Sequence, residues 1–112
     1  MGIIASNNFE YRGIAKELLL ELKNKFELNL FIETGTFFGE TARWASGHFN
    51  NVVTIEADEQ LFTKQISVPN IKYVLGDSAI EINKYIQENS IIYLDAHYSG
   101  SQTHNSYPLI NE

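Results

Sequence analysis

The stretch LFIETGTFFGETARWA, Leu30 to Ala45, decides the fold. It opens with the apolar run Leu30-Phe31-Ile32, in the length range of a strand that is buried on both faces. Glu33 follows at the end of that run, then Gly35 and Gly39, then the start of a helical pattern. Gly35 can adopt dihedrals closed to other residues, so the backbone there can let a ligand approach. Gly39, four positions on, lets the next helix begin close to the strand, and its first turn offers unpaired N–H groups. The stretch reads as strand, glycine turn and helix, built to admit something to the backbone.

Working outward, residues 10–27 place Ile14, Leu18, Leu22 and Phe26 four apart, with Ala15, Leu19 and Leu20 beside them. That spacing predicts an amphipathic helix, with Asn8 as a plausible cap. Strands are expected over 29–33, 51–56, 70–76 and 90–98, the third after the breaker Pro69. Helices are expected over 39–48, with Trp44 and Ala45 inward, over 58–66, and over 78–89, where Ile82, Tyr85 and Ile86 fall at helical spacing. Strands alternating with helices imply right-handed crossovers and a parallel sheet. The expected fold is α/β, a parallel sheet with helices on both faces. One domain spans 1–112: an N-terminal helix (10–27), a sheet core (28–98) and a C-terminal loop (99–112).

Ligands of open parallel sheets bind beyond the carboxyl ends of the strands. Those ends read Glu33-Thr34-Gly35-Thr36, Glu56-Ala57-Asp58, Gly76-Asp77-Ser78 and Asp95-Ala96-His97. Each carries an acid. A single strand-end acid is readily explained as a cap on the next helix, worth about 1 kcal/mol. Four that converge point to a ligand rich in hydrogen-bond donors. Glu56 lies where Rossmann-like folds hold ribose hydroxyls with a carboxylate. The dinucleotide fingerprint G-x-G-x-x-G is missing; in its place Glu33 precedes the glycine turn, where it would repel a pyrophosphate and attract a cationic, amine-bearing ligand.

Composition narrows the classes. The chain has 112 residues, 44% hydrophobic and 20% charged, with a formal net charge of −6. An acidic chain without a Lys/Arg cluster is poorly suited to gripping nucleic acid. It has no cysteine, which removes disulfides and thiolate metal sites and fits a cytoplasmic setting. No apolar run approaches the roughly 18 residues of a membrane span, and no secretory signal pattern opens the chain. The start MGIIAS fits an N-myristoylation pattern; its plainer reading is a start methionine and a small residue. His97 and His104, seven apart, match no standard metal-ligand spacing. Phe37 and Phe38, in the turn, are candidate ligand contacts.

The motif ETGTFFG resembles the first motif, acid-x-Gly-x-x-x-Gly, of the class I S-adenosylmethionine (SAM)-dependent methyltransferases. VVTIEAD resembles their ribose-binding strand, LGDS their adenine-side motif and IIYLDAHYSG their fourth-strand motif. The wording is most similar to a bacterial branch associated with sugar or cell-surface glycan modification. The resemblance covers about residues 28–112. It implies a Rossmann-like fold and methyl transfer from SAM to an oxygen of a sugar or other small molecule. It implies that Glu33 faces the methionine amino group, directly or through water, and that Gly35, Thr36 and Gly39 line the cofactor. Glu56 would bind both ribose hydroxyls, Asp77 the adenine amino group, with Ser78 beside the ring. Asp95 and His97 would act on the acceptor, and Asp95 is the candidate ligand for Mg2+.

That family's sheet has seven strands, and four are legible here, so the chain reads as the N-terminal half of such a fold. An open sheet edge is an aggregation hazard, and a homo-oligomer that covers it is the expectation. Two rival readings stand beside methyl transfer. One is a non-catalytic nucleoside-binding half-domain; the other is an NAD(P)-dependent oxidoreductase-like dinucleotide binder.

Overall fold

The computed structural model describes residues 3–6 and 16–94. The elements are β1 (Ile3–Ser6), α1 (Lys16–Phe26), β2 (Leu30–Thr34), α2 (Glu40–Ser46), β3 (Asn51–Glu56), α3 (Glu59–Thr63), β4 (Ile71–Leu75), α4 (Ser78–Glu81), a 3-10 turn (Ile82–Lys84) and β5 (Ser90–Leu94). The strands form one parallel sheet in the order β1-β5-β2-β3-β4. This is the Rossmann-like α/β architecture that the alternation of strands and helices predicts.

The central strand is β2. Ile32 is registered with Val53 on one side and Ile92 on the other. Because successive side chains point to opposite faces, the strand feeds two cores. Phe31 packs with Leu19 of α1, Ala42 and Ala45 of α2, Phe49 and Tyr93. Its ring meets Trp44 edge-on at 6.4 Å and stacks on Tyr93 at 6.1 Å. Ile32 packs on the other face with Val53, Ile55, Val74 and Ile92, covered by Ile82 and Tyr85. Both faces of the sheet are therefore apolar, as a parallel sheet requires.

Three differences from the sequence expectations have physical reasons. A fifth strand, β1, pairs with β5 from Ile3↔Ile91 to Ser6↔Leu94. Four residues carry too little pattern to announce a strand; the free edge of β5 is what makes them one. In α1 the buried position is Leu19, at 2% exposure, whereas Leu18 of the expected stripe is 51% exposed. The face toward the sheet runs through Lys16, Leu19, Leu22 and Lys23. The two lysines lie over the Trp44 and Phe49 rings at 5.5 and 5.9 Å, the apolar stems covering core and the ammonium groups reaching outward. Ile14, Ala15 and the rest of 10–15 are outside the described residues.

The helix expected over 78–89 ends early. It passes into a 3-10 turn at Ile82, where the three-residue spacing of Ile82 and Tyr85 suits the tighter pitch. Ser90 then donates its Oγ to the Gln87 carbonyl at 2.6 Å and closes the turn into β5, leaving Ile86 exposed.

Candidate functional site

The candidate site residues in the described part of the chain lie at the carboxyl ends of β2, β3 and β4. After Thr34 the chain makes a turn with three left-handed residues in five: Gly35 (φ 88°), Phe37 (φ 52°) and Gly39 (φ 84°). Glycine accepts this region freely; for phenylalanine it is an outlier that surrounding contacts must hold in place. The Gly35 N–H donates to the Ile55 carbonyl at 2.8 Å, so the turn is laid against the end of β3. Gly39 caps α2 without a side chain.

Glu56 binds this turn to its own strand end. Its Oε1 accepts from the Phe37 N–H at 2.8 Å and its Oε2 from the Asp58 N–H at 2.9 Å. The residue is 6% exposed. Each carboxylate oxygen has two acceptor positions, so one per oxygen remains. That remainder matches two vicinal hydroxyl donors.

Glu33 is deeper, 1% exposed. Thr54 donates its Oγ1 to Glu33 Oε1 at 2.7 Å, and Thr36 Oγ1 lies 2.7 Å from Thr54 Oγ1. The Thr54 proton is committed to the carboxylate, so Thr36 is the donor in the second bond. Nearby, Tyr73 donates to the Ile66 carbonyl at 2.7 Å. Burial pushes its hydroxyl above the ordinary value of 10.0; the Arg43 guanidinium pulls it back down, and the Glu33 charge adds to the rise.

The two remaining strand-end acids in the described residues are helix caps. Asp58 accepts from Gln60 and Leu61 N–H at the start of α3, and Asp77 accepts from the Ala79 N–H at the start of α4. Both are exposed, so capping leaves their outer oxygens open to solvent. Ser78 begins α4 beside Asp77. The structure thus gathers Glu33, Gly35, Thr36, Gly39 and Glu56 around one turn and sets Asp77 and Ser78 one strand beyond β3. Asp95, His97 and His104 lie outside the described residues. Among the described residues no group of three or more His, Asp or Glu could hold a metal ion. No described helix is long and apolar enough to cross a membrane.

Two cavities among the described residues open at the other, amino end of the sheet. One, of about 550 Å³, lies between Asn29, Asn51, Asn70 and Tyr85. The other, of about 820 Å³, lies between Lys23, Phe26, Glu27 and Asn89. Neither holds a buried carboxylate: Glu27, left-handed at φ 55°, and Glu88 line the second and are exposed.

This chain is similar in fold to a SAM-dependent methyltransferase. That protein, from Anabaena variabilis, superposes with a TM-score of 0.53 at 23% sequence identity, over 71% of this chain and 37% of its own. The chain therefore spans little more than a third of the length of that structural neighbour. Identity at this level establishes a shared fold. No protein-family model and no curated protein matches the chain.

Three site residues escaped the sequence reading. Thr54 sits inside VVTIE, where a threonine reads as one more β-branched strand residue. Its position opposite Glu33 is visible only once strand register is known. Gln65 falls in the helix expected over 58–66, but α3 ends at Thr63, and beyond it the Gln65 Nε2 donates to the Phe37 carbonyl at 2.7 Å. Arg43 reads as an exposed helix residue and in fact donates to the Phe38 carbonyl at 3.1 Å.

Proposed function

We propose that this chain binds the nucleoside of SAM at the carboxyl ends of β2–β4 and serves methyl transfer to an oxygen of a sugar or other small molecule. The observation that carries the reading is Glu56. It is a buried carboxylate, fixed by two backbone N–H groups against a left-handed glycine turn, with one acceptor position left on each oxygen. A ribose presents two hydroxyl donors at matching separation. The shared fold with a SAM-dependent methyltransferase supports the same reading.

In this assignment Glu56 takes the ribose hydroxyls, and Gly35, Thr36 and Gly39 line the cofactor. Asp77 accepts from the adenine amino group through the oxygen its helix cap leaves free, with Ser78 beside the ring. Glu33 supplies negative charge beneath the turn that favours a cationic methionine moiety. The cofactor, when bound, supplies an activated sulfonium methyl. Asp95 and His97 orient the acceptor hydroxyl and take its proton as the new C–O bond forms. Asp95 is also the assigned ligand for Mg2+ where the acceptor reaction uses one.

Calorimetric titration with S-adenosylhomocysteine and with NAD tests the reading. S-adenosylhomocysteine is expected to saturate at the lower concentration, because Glu33 and the absence of a second closely spaced glycine disfavour a pyrophosphate. Tighter binding of NAD would replace the methyltransferase reading with the dinucleotide one. A second reading is a non-catalytic nucleoside-binding module. Saturable binding without methyl transfer to any sugar acceptor is its signature.

A further inference from the structure

The glycine turn is held by side chains beyond the carboxylate assigned to the ribose. Phe37 is a bulky residue in the left-handed region, a conformation disfavoured relative to the ordinary helical one. Its peptide groups are gripped from two sides. Glu56, at the end of β3, accepts from its N–H at 2.8 Å. Gln65, beyond the end of α3, donates to its carbonyl at 2.7 Å and spans back to the Leu61 carbonyl at 2.9 Å. One residue on, Arg43 holds the Phe38 carbonyl at 3.1 Å.

Gln65 makes these contacts at a cost. Its Oε1 is buried and has no hydrogen-bond partner among the described residues, and an orphaned buried acceptor is destabilising. Native structures carry few of these groups, and they concentrate where function overrides stability. The space Oε1 occupies is the space a Cβ at position 39 would fill. A Cβ built there meets Gln65 Oε1, and Arg43 Nη1 at 2.8 Å. Gly39 is favoured by its φ of 84°, and a Cβ there would push aside the flexible ends of the two clamping side chains that converge on it.

We propose that Gln65 is a positioning residue for the site. By holding the Phe37 carbonyl it keeps residues 35–39 in the left-handed arrangement and keeps the Phe37 N–H aimed at Glu56. That contact in turn fixes the carboxylate assigned to the ribose. This inference rests on the nucleoside reading for its purpose, but the clamp itself is a property of the free chain and can be measured without any ligand.

The test uses the full chain and two variants. Gln65→Met keeps the length and removes the donor; Gln65→Glu donates only while its carboxyl is protonated. Amide exchange measured by NMR is the first readout. Gln65→Met is expected to speed exchange of the Phe37 and Gly39 N–H groups at least tenfold, while Ile32 and Val53 in the sheet stay within twofold. The second readout is S-adenosylhomocysteine affinity across pH 4.5 to 8. Gln65→Met should bind about tenfold more weakly than the parent at every pH, whereas Gln65→Glu should approach the parent at the acid end and weaken as pH rises. Unchanged turn exchange in Gln65→Met overturns the proposal, as does an equal loss of protection across the sheet. Should the parent chain not bind S-adenosylhomocysteine while the turn amides still respond, the clamp stands and the nucleoside reading alone falls.

Discussion

Glu33 and Thr54 are register partners on β2 and β3, and the Thr54 hydroxyl donates to the Glu33 carboxylate at 2.7 Å. A carboxylate with 1% exposure needs such donors, because burying one without them costs several kcal/mol. Thr36 extends the chain of hydroxyls by a further 2.7 Å bond and so ties the glycine turn to the sheet. Thr54→Val, nearly the same shape, removes the central link. We expect it to lower unfolding free energy by about 2 kcal/mol. Thr54→Ser, which keeps the hydroxyl, should lose less than half of that. Urea denaturation of both variants measures the difference; equal losses would mean that methyl packing, rather than the hydroxyl, is what the site needs.

Glu56 carries two loads, the turn and the proposed ribose contact, and they separate with the right variant. Glu56→Ala strands the Phe37 and Asp58 N–H groups and lowers both stability and binding. Glu56→Gln keeps a carbonyl oxygen for one of these donors and removes the charge. Its affinity for S-adenosylhomocysteine should fall by about 2 kcal/mol, roughly thirtyfold, while its cooperative melt persists. Undiminished affinity in a folded Glu56→Gln protein would place the ligand away from the end of β3.

Tyr73 sets an alkaline limit. Burial raises its hydroxyl pKa above 10.0, with Arg43 opposing and Glu33 adding to the rise. A group whose folded pKa is raised contributes stability that is complete below its unfolded pKa and is lost as pH climbs through the folded one. Stability of the parent chain should accordingly fall off above pH 10.0, as the hydroxyl that donates to Ile66 ionises. Tyr73→Phe should be less stable at neutral pH and show a shallower decline in that window. Parallel curves for the two proteins would exclude Tyr73 as the titrating group.

Asp95 and His97 follow β5 in the sequence and are the residues proposed to act on the acceptor. Asp95→Asn and His97→Ala should leave S-adenosylhomocysteine affinity within about tenfold, or 1.4 kcal/mol. Methyl transfer should drop by about a hundredfold or more, the usual contribution of a positioned base. A chelator that abolishes turnover, with recovery on adding magnesium, would mark Asp95 as a metal ligand. Full activity in both variants would move the acceptor base elsewhere.

The architecture was legible in the sequence because it depends on patterns short enough to read locally. LFI, VVTI and IIYL are apolar throughout, since a parallel strand is buried on both faces. Gly35 and Gly39 mark left-handed positions that few other residues accept. Glu33 and Glu56 stand out as acids at the ends of apolar runs. Those signals sufficed for β2 to β5 and for the turn after β2.

Tertiary structure alone decided which side chains serve the turn and how. Asp58 and Asp77 are caps while Glu33 and Glu56 are buried and bonded to groups from other elements. Thr54 became the partner of Glu33 through strand register, twenty-one residues away. Gln65 reached Phe37 across twenty-eight. Strand β1 exists because β5 offers an unpaired edge, and α1 turns Leu19 rather than Leu18 into the cluster around Phe31. Hydrogen bonding and packing reward proximity in space, and a linear pattern encodes proximity only within a turn of helix or along a strand.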